Sequence, residues 1–210
     1  MKYLNTLNFF GILLLLANTS VAQKQMVLTE PAGQLKGVFI ESDQIFQIYV
    51  KTTNSDQFIV STEVEGETFE TLEINTQKTG DLLHITTGRS LGYKAFDDKL
   101  AAHKVLSVVL HVEIPEDKEL WVASALASVE AQGAYSYINL NLSGGRVDLT
   151  DFKANGSVNT LRGAINVITQ HTQIDASSRN GRVDVVSSPN ELYELVLKTV
   201  DGDISVSQSE

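Results

Sequence analysis

The sequence predicts an all-β fold: a single-stranded parallel β-solenoid of eighteen-residue coils, two strands per coil, opened by an irregular β-rich N-terminal portion. Two periods carry this reading. From Leu120 to Val206 a phrase apolar–polar–apolar returns ten times in steps of nine, with one slip of three residues. Of its twenty outer positions nineteen are aliphatic and one is Gly156, while eight of the ten middle positions are polar. Alternation of that kind marks a strand with one buried face. The longer period is set by glycine, which stands two residues before every other phrase at Gly145, Gly163, Gly181 and Gly202, with Ala127 at the head of that column. The eighteen-residue unit is therefore two strands joined by unlike corners, and self-similarity at so short a period reads as stacked coils.

Competing all-β folds fit less well. A helix of hexapeptides shares the eighteen-residue coil, but six-residue steps from Leu120 land on Gln132, Thr150 and Arg162. An antiparallel meander places a strand every nine residues but leaves glycine at alternate corners unexplained. The solenoid predicts that Val147, Ile165 and Val183 share one interior column, and Ile138, Ile174 and Leu195 the opposite one. Gly163 and Gly181 are expected to hold positive φ. Gly156 leaves a gap in its column, for which Phe152 and Leu161 are the candidate fillers.

Taken in order, residues 1–22 carry Lys2, a Leu-rich run over Phe9–Ala17, and small residues at Ser20 and Ala22. This pattern predicts a signal peptide cut before Gln23, the apolar run being short for a membrane span. Removing it leaves 15 basic and 26 acidic residues, a net charge of −11 against −10 for the full chain. So acidic a chain disfavours nucleic acid and anionic lipid as partners. With no cysteine, stability rests on packing alone.

Residues 23–210 read as one exported domain, in which 23–114 form an irregular β opening or cap and 115–210 the regular coils. Within the opening, Phe46–Val50, Phe58–Val64, Leu72–Ile74, Leu83–Ile85 and Leu106–Ile114 alternate as strands. Gly88–Lys104, with Tyr93 and Phe96, is read as a long irregular loop packing over the body. The slip near Ser187–Asn190 is read as an outward bulge.

The phrases Gly80-Asp81-Leu82-Leu83-His84-Ile85 and Val112-Glu113-Ile114-Pro115 precede recurring Gly-x-Val/Ile-Asp/Asn-Val/Leu units, among them Gly145-Arg146-Val147-Asp148-Leu149 and Gly181-Arg182-Val183-Asp184-Val185. In these motifs, over nearly all of residues 23–210, the chain resembles the bacterial adhesin family known as the auto-transporter adhesin head GIN domain. The resemblance implies a β-solenoid exported to the envelope or beyond, and it supplies no catalytic residues.

The chemistry legible in the chain is sparse. The histidines, His84, His103, His111 and His171, show no metal-ligand spacing, and His84 and His111 fall at outward strand positions. There is no Gly-x-Ser-x-Gly elbow. The glycine-marked face instead offers Glu130, Asp148, Asn166, Asp184 and Ser205 at middle positions, preceded by Ser128, Arg146, Ala164, Arg182 and Asp203. Arg146, Asp148, Asn166, Arg182 and Asp184 form the candidate surface ladder, able to hold a sugar or a divalent ion; as ordinary surface residues they would simply keep a solvent face wet. The calcium-roll turn Gly-Gly-x-Gly-x-Asp is incomplete at Gly144-Gly145-Arg146-Val147-Asp148, so no metal and no cofactor is expected. The expected function is a non-enzymatic, adhesin-like interaction or envelope structural protein whose partner is a surface glycan or an envelope protein. The alternatives are a carbohydrate-active enzyme on a β-helix and a periplasmic stress-associated factor.

Overall fold

The computed structural model describes residues 23–66, 72–89, 106–186 and 190–208. The expected signal peptide, and the expected loop beyond Arg89, fall outside them. Gly88, taken above as the start of that loop, still belongs to a strand.

The described residues form fifteen strands: β1 (Gln23–Pro31), β2 (Gly37–Glu41), β3 (Gln47–Thr53), β4 (Gln57–Gly66), β5 (Leu72–Thr79), β6 (Leu82–Arg89), β7 (Leu106–Pro115), β8 (Glu119–Ser124), β9 (Ser128–Leu142), β10 (Val147–Arg162), β11 (Ile165–Thr169), β12 (Thr172–Ser178), β13 (Val183–Val185), β14 (Tyr193–Asp201) and β15 (Ile204–Gln208). No helix occurs among the described residues, and none there is long and apolar enough to cross a membrane. The strands form two facing rows. One runs β1-β4-β7-β3-β9-β10-β11-β15-β13. The other runs β5-β6-β2-β8-β9-β10-β14-β12. The long strands β9 and β10 bend between the rows, at Gly133 (φ 110°) and Asp151 (φ 47°), so each serves both.

The sheet is mixed and does not close on itself. Parallel pairing runs through most of it, and from Leu120 to Ile165 neighbouring phrases pair eighteen residues apart: Leu120 with Ile138, Ile138 with Gly156, Val129 with Val147, Val147 with Ile165. Antiparallel pairs join β1 to β4, β4 to β7 and β5 to β6, all at one end.

Spatial order departs from chain order at both ends. The expected column Val147–Ile165–Val183 is interrupted, because Ile165 pairs with Ile204 and Val183 lies beyond it. In the other row Gly156 pairs with Leu195, and Ile174 lies beyond that. After β11 the chain steps to the far end of the stack, forms β12 and β13, then returns to lay β14 and β15 between them and the earlier strands. The expected bulge near Ser187–Asn190 falls, at 187–189, outside the described residues. At the opposite end β2 and β3 are likewise inserted, β2 between β6 and β8, and β3 between β7 and β9.

The core lies between the rows. The alternation predicts many of its aliphatic residues, including Ile48, Leu110, Leu120, Val129, Ile138, Val147, Ile165 and Leu195, and Val38, Ile40 and Ile45, which no predicted strand contains, join them, all fully buried. Two aromatic residues at the bends join them. Phe152 is buried, its ring 5.8 Å from that of Tyr135, whereas Leu161 is 46% exposed. Tyr135 donates its hydroxyl to the backbone carbonyls of Gln132 (3.0 Å) and Val50 (3.3 Å), and burial pushes its pKa up.

The glycine corners have a cause beyond φ. Gly163 holds a positive φ of 147°, as expected, but Gly181 does not. What the two share is close approach: a Cβ on Gly163 would strike the carbonyl of Gly145, and one on Gly181 the carbonyl of Gly202. Neighbouring corners leave no room for a side chain between them. Gly156 follows the same rule, since its Cβ would meet the Ile138 carbonyl. Backbone contact and a positive φ of 149° are each reason enough for the missing side chain, without any accommodation of Phe152.

Candidate functional site

Alternation that turns aliphatic side chains inward turns the middle residue of each phrase to solvent. On the first row, register places these residues in one line across eight strands: Ser61, His111, Tyr49, Glu130, Asp148, Asn166, Ser205 and Asp184.

The predicted ladder lies on this face but in two pieces. Arg146 donates through Nε to Asp148 at 2.5 Å, and Asn166 donates through Nδ2 to the other Asp148 oxygen at 2.7 Å. Arg146, Asp148 and Asn166 are thus joined, with Asp148 the better covered partner of the ion pair. Arg182 and Asp184 stand apart from them, because β15 lies between β11 and β13. The backbone N–H of Arg182 donates to Asp203 (2.7 Å), and Asp184 lies beside Ser205.

The same line continues in the other direction into a part of the face that carries no repeat signal. Tyr49 and His111 stack with ring centroids 4.9 Å apart and planes 14° from parallel. Next to them Lys51 pairs with Glu113 at 2.9 Å, and Gln47 donates to Glu130 at 3.3 Å. Tyr49, His111, Lys51, Glu113 and Glu130, with Ser61, Glu63, Gln132 and Thr150, border an open groove of about 500 Å³. The groove combines an aromatic face, three carboxylates, an ammonium and an amide, which suits a ligand with both hydroxyls and an apolar ring face. Alternation exposes Tyr49 and His111 in the sequence, but nothing local says that β3 lies against β7, sixty residues away.

The second row carries a different outer line: Gln77, His84, Phe39, Trp121, Asn139, Ser157, Val196 and Asp175. Phe39 and His84 rings lie 4.6 Å apart, and Trp121 lies 5.5 Å from Tyr137 while donating its indole N–H to Glu119 at 3.0 Å. His84 Nε2 is 3.6 Å from Glu41, within ion-pair reach when protonated but beyond a hydrogen bond. Beyond Trp121 the face turns to amides: Asn139 donates to Ser157 (3.1 Å) and Asn159 to Asn141 (3.1 Å). Such rungs of like residues tie neighbouring strands together on an exposed face. No three His, Asp or Glu side chains gather as for a metal ion among the described residues.

No family model and no curated protein matches the chain. Its likeness is to solved structures. A crystal structure described as a "putative cell adhesion protein" from Clostridium sporogenes aligns over 89% of this chain and 100% of its own, with a TM-score of 0.65 at 15% identity. A "putative lipid binding protein" from Parabacteroides distasonis aligns over 90% and 97%, with a TM-score of 0.41 at 9% identity. A "putative adhesin" from Bacteroides fragilis aligns over 88% and 97%, with a TM-score of 0.37 at 10% identity. The Clostridium likeness is one of fold, and it agrees with the adhesin resemblance carried by the Gly-x-Val/Ile-Asp/Asn-Val/Leu units.

Proposed function

We propose that this chain is an exported, non-enzymatic, adhesin-like interaction protein of the adhesin-head type, built as a parallel β-solenoid of eighteen-residue coils. Parallel pairing at that offset from Leu120 to Ile165 supports the solenoid. In this reading residues 1–22 are a cleaved leader and 23–210 a single exported domain. Its partner is a surface glycan, held along the first outer face from the Tyr49–His111 groove to the Arg146, Asp148 and Asn166 rungs, with Arg182 and Asp184 extending the surface.

The observation that carries the reading is the groove itself. The Tyr49–His111 stack lies beside Glu130 and Asp148 in a single line, so rings and hydrogen-bonding groups face solvent together. Charged residues of the groove are already engaged, Lys51 with Glu113 and Glu130 with the neighbouring Gln47, which favours binding over turnover. A glycan array probed with the exported chain and with Tyr49→Ala tests this, alongside fractionation of the native cells. Binding lost in the variant supports the reading; no glycan bound, or equal binding by both, overturns it.

One observation favours a second reading, a carbohydrate-active enzyme: Glu63, Glu113, Glu130 and His111 border the same groove. Two carboxylates flanking a sugar are the usual equipment of glycoside hydrolysis. Incubating any bound glycan with the protein and analysing its chain length separates the two, since only an enzyme shortens it.

A further inference from the structure

We infer that the end of the stack formed by β12 and β13 is an interface between two copies of this chain. β12 pairs in register with β14, and β13 with β15, and no described strand pairs with their outer edges. An edge of this kind presents N–H and C=O groups that template another strand, and repeat folds ordinarily blunt it with a polar cap. Here the edge carries apolar side chains instead. Val183 is 43% exposed and Val186 51%, while Ile174 and Ala176, equivalent to fully buried residues elsewhere in their row, are only partly buried. Leu192, on the loop returning to β14, is 72% exposed.

Charge selects the occupant. The chain carries 16 basic and 26 acidic residues, so two copies repel over most of their surfaces. The end differs: Asp175 and Asp184 on the terminal strands and Glu191 beside Leu192 face Arg179 and Arg182 at the corner between the strands, a near balance. An apolar edge so close to charge balance lets a second copy approach there with little of the like-charge cost imposed elsewhere. In an isologous contact the same patch serves both partners, so one such end closes a dimer and leaves both outer faces open.

The test is sedimentation of the chain, expressed from its full sequence, over a range of micromolar concentrations. The wild type is expected to form a concentration-dependent dimer that persists in high salt. Val183→Lys with Val186→Lys, at side chains about half exposed, is expected to be monomeric and to melt cooperatively at a temperature that no longer depends on concentration, while Val27→Lys at the opposite end remains dimeric. Independently of any variant, amide exchange in β12 of the wild type should slow as concentration rises. A wild type monomeric throughout, whether or not it captures extended peptides, overturns the inference. So does a dimer that the paired lysines leave intact, or β12 exchange that ignores concentration.

Discussion

At one end of the molecule Leu83 and Ile85 of β6, and Leu110 and Val112 of β7, are buried to 1% exposure or less. At the other end their counterparts on β12 and β13 are incompletely covered, and Val183 is nearly half exposed. All are aliphatic residues at inward positions of strands in the same two rows. The difference lies in what continues the rows. Beyond β7 stand the antiparallel strands β4 and β1, and beyond β6 stands β5, bringing Phe58, Val60, Val64, Leu72 and Ile74 into the core. Beyond β12 and β13 no described strand pairs. An inward residue is thus made a core residue by its neighbouring strands, and alternation alone does not confer burial.

Truncating equivalent residues at the two ends measures that difference most directly. Leu110→Ala removes a fully buried side chain and is expected to cost about 2–5 kcal/mol, transfer and cavity terms together. Val183→Ala removes a half-exposed one and is expected to stay within about 0.5 kcal/mol. Urea denaturation of each variant at a protein concentration low enough to keep the chain monomeric gives both values. Equal losses would show that the β12/β13 end is as well supported as the β6/β7 end.

The corners sharpen the comparison. Gly163 lies between the corners of Gly145 and Gly202, and its φ of 147° is one L side chains seldom adopt. Gly163→Ala is therefore expected to cost about 1–3 kcal/mol. Gly181 meets a neighbouring corner on one side, that of Gly202, and holds no positive φ. A terminal corner can shift outward, so Gly181→Ala should cost clearly less in the same denaturation series. The reverse ranking would mean that the last corner is held more rigidly than an interior one.

This asymmetry bears on what the sequence reveals. The phrases identify which residues point inward, as Val129, Ile138, Val147 and Leu195 demonstrate, because a two-residue period is local. The order of the strands is not local. Ile165-Asn166-Val167, Val183-Asp184-Val185 and Ile204-Ser205-Val206 present the same inward aliphatic pair and the same polar middle, so any of them fits beside any other. The periodicity is consequently silent on β15 lying between β11 and β13, and the ladder that looks continuous from Asn166 to Asp184 is divided by Ser205. The groove was hidden for a related reason. Tyr49 and His111 meet through a pairing of β3 with β7 that no repeat announces. Gly156 misleads in the opposite sense: an absent side chain resembles a gap in packing, yet the Ile138 carbonyl and a positive φ account for it.

The smallest expected effect is electrostatic and belongs to the covered end. Lys36, just before β2, pairs with Asp81, just before β6, at 2.7 Å, where the inserted strand β2 lies against β6. The hydrogen bond from Lys36 is the main cause holding the Asp81 carboxyl below its ordinary pKa, followed by a backbone hydrogen bond and the ammonium charge; Asp81 in turn raises Lys36. A lowered carboxylate pKa gives stability that is complete above the unfolded value, about 4, and is lost as pH falls through the folded value. A raised lysine pKa gives stability complete below about 10.4 and lost as pH rises through the folded value. Lys36→Met should therefore lower the melting temperature slightly and evenly across neutral pH, with the gap to wild type closing below about pH 4. Both side chains are more than half exposed, so added salt should shrink the gap at neutral pH as well. A gap that persists at pH 3 and in high salt would assign the effect to the packed stem of Lys36 and not to its charge.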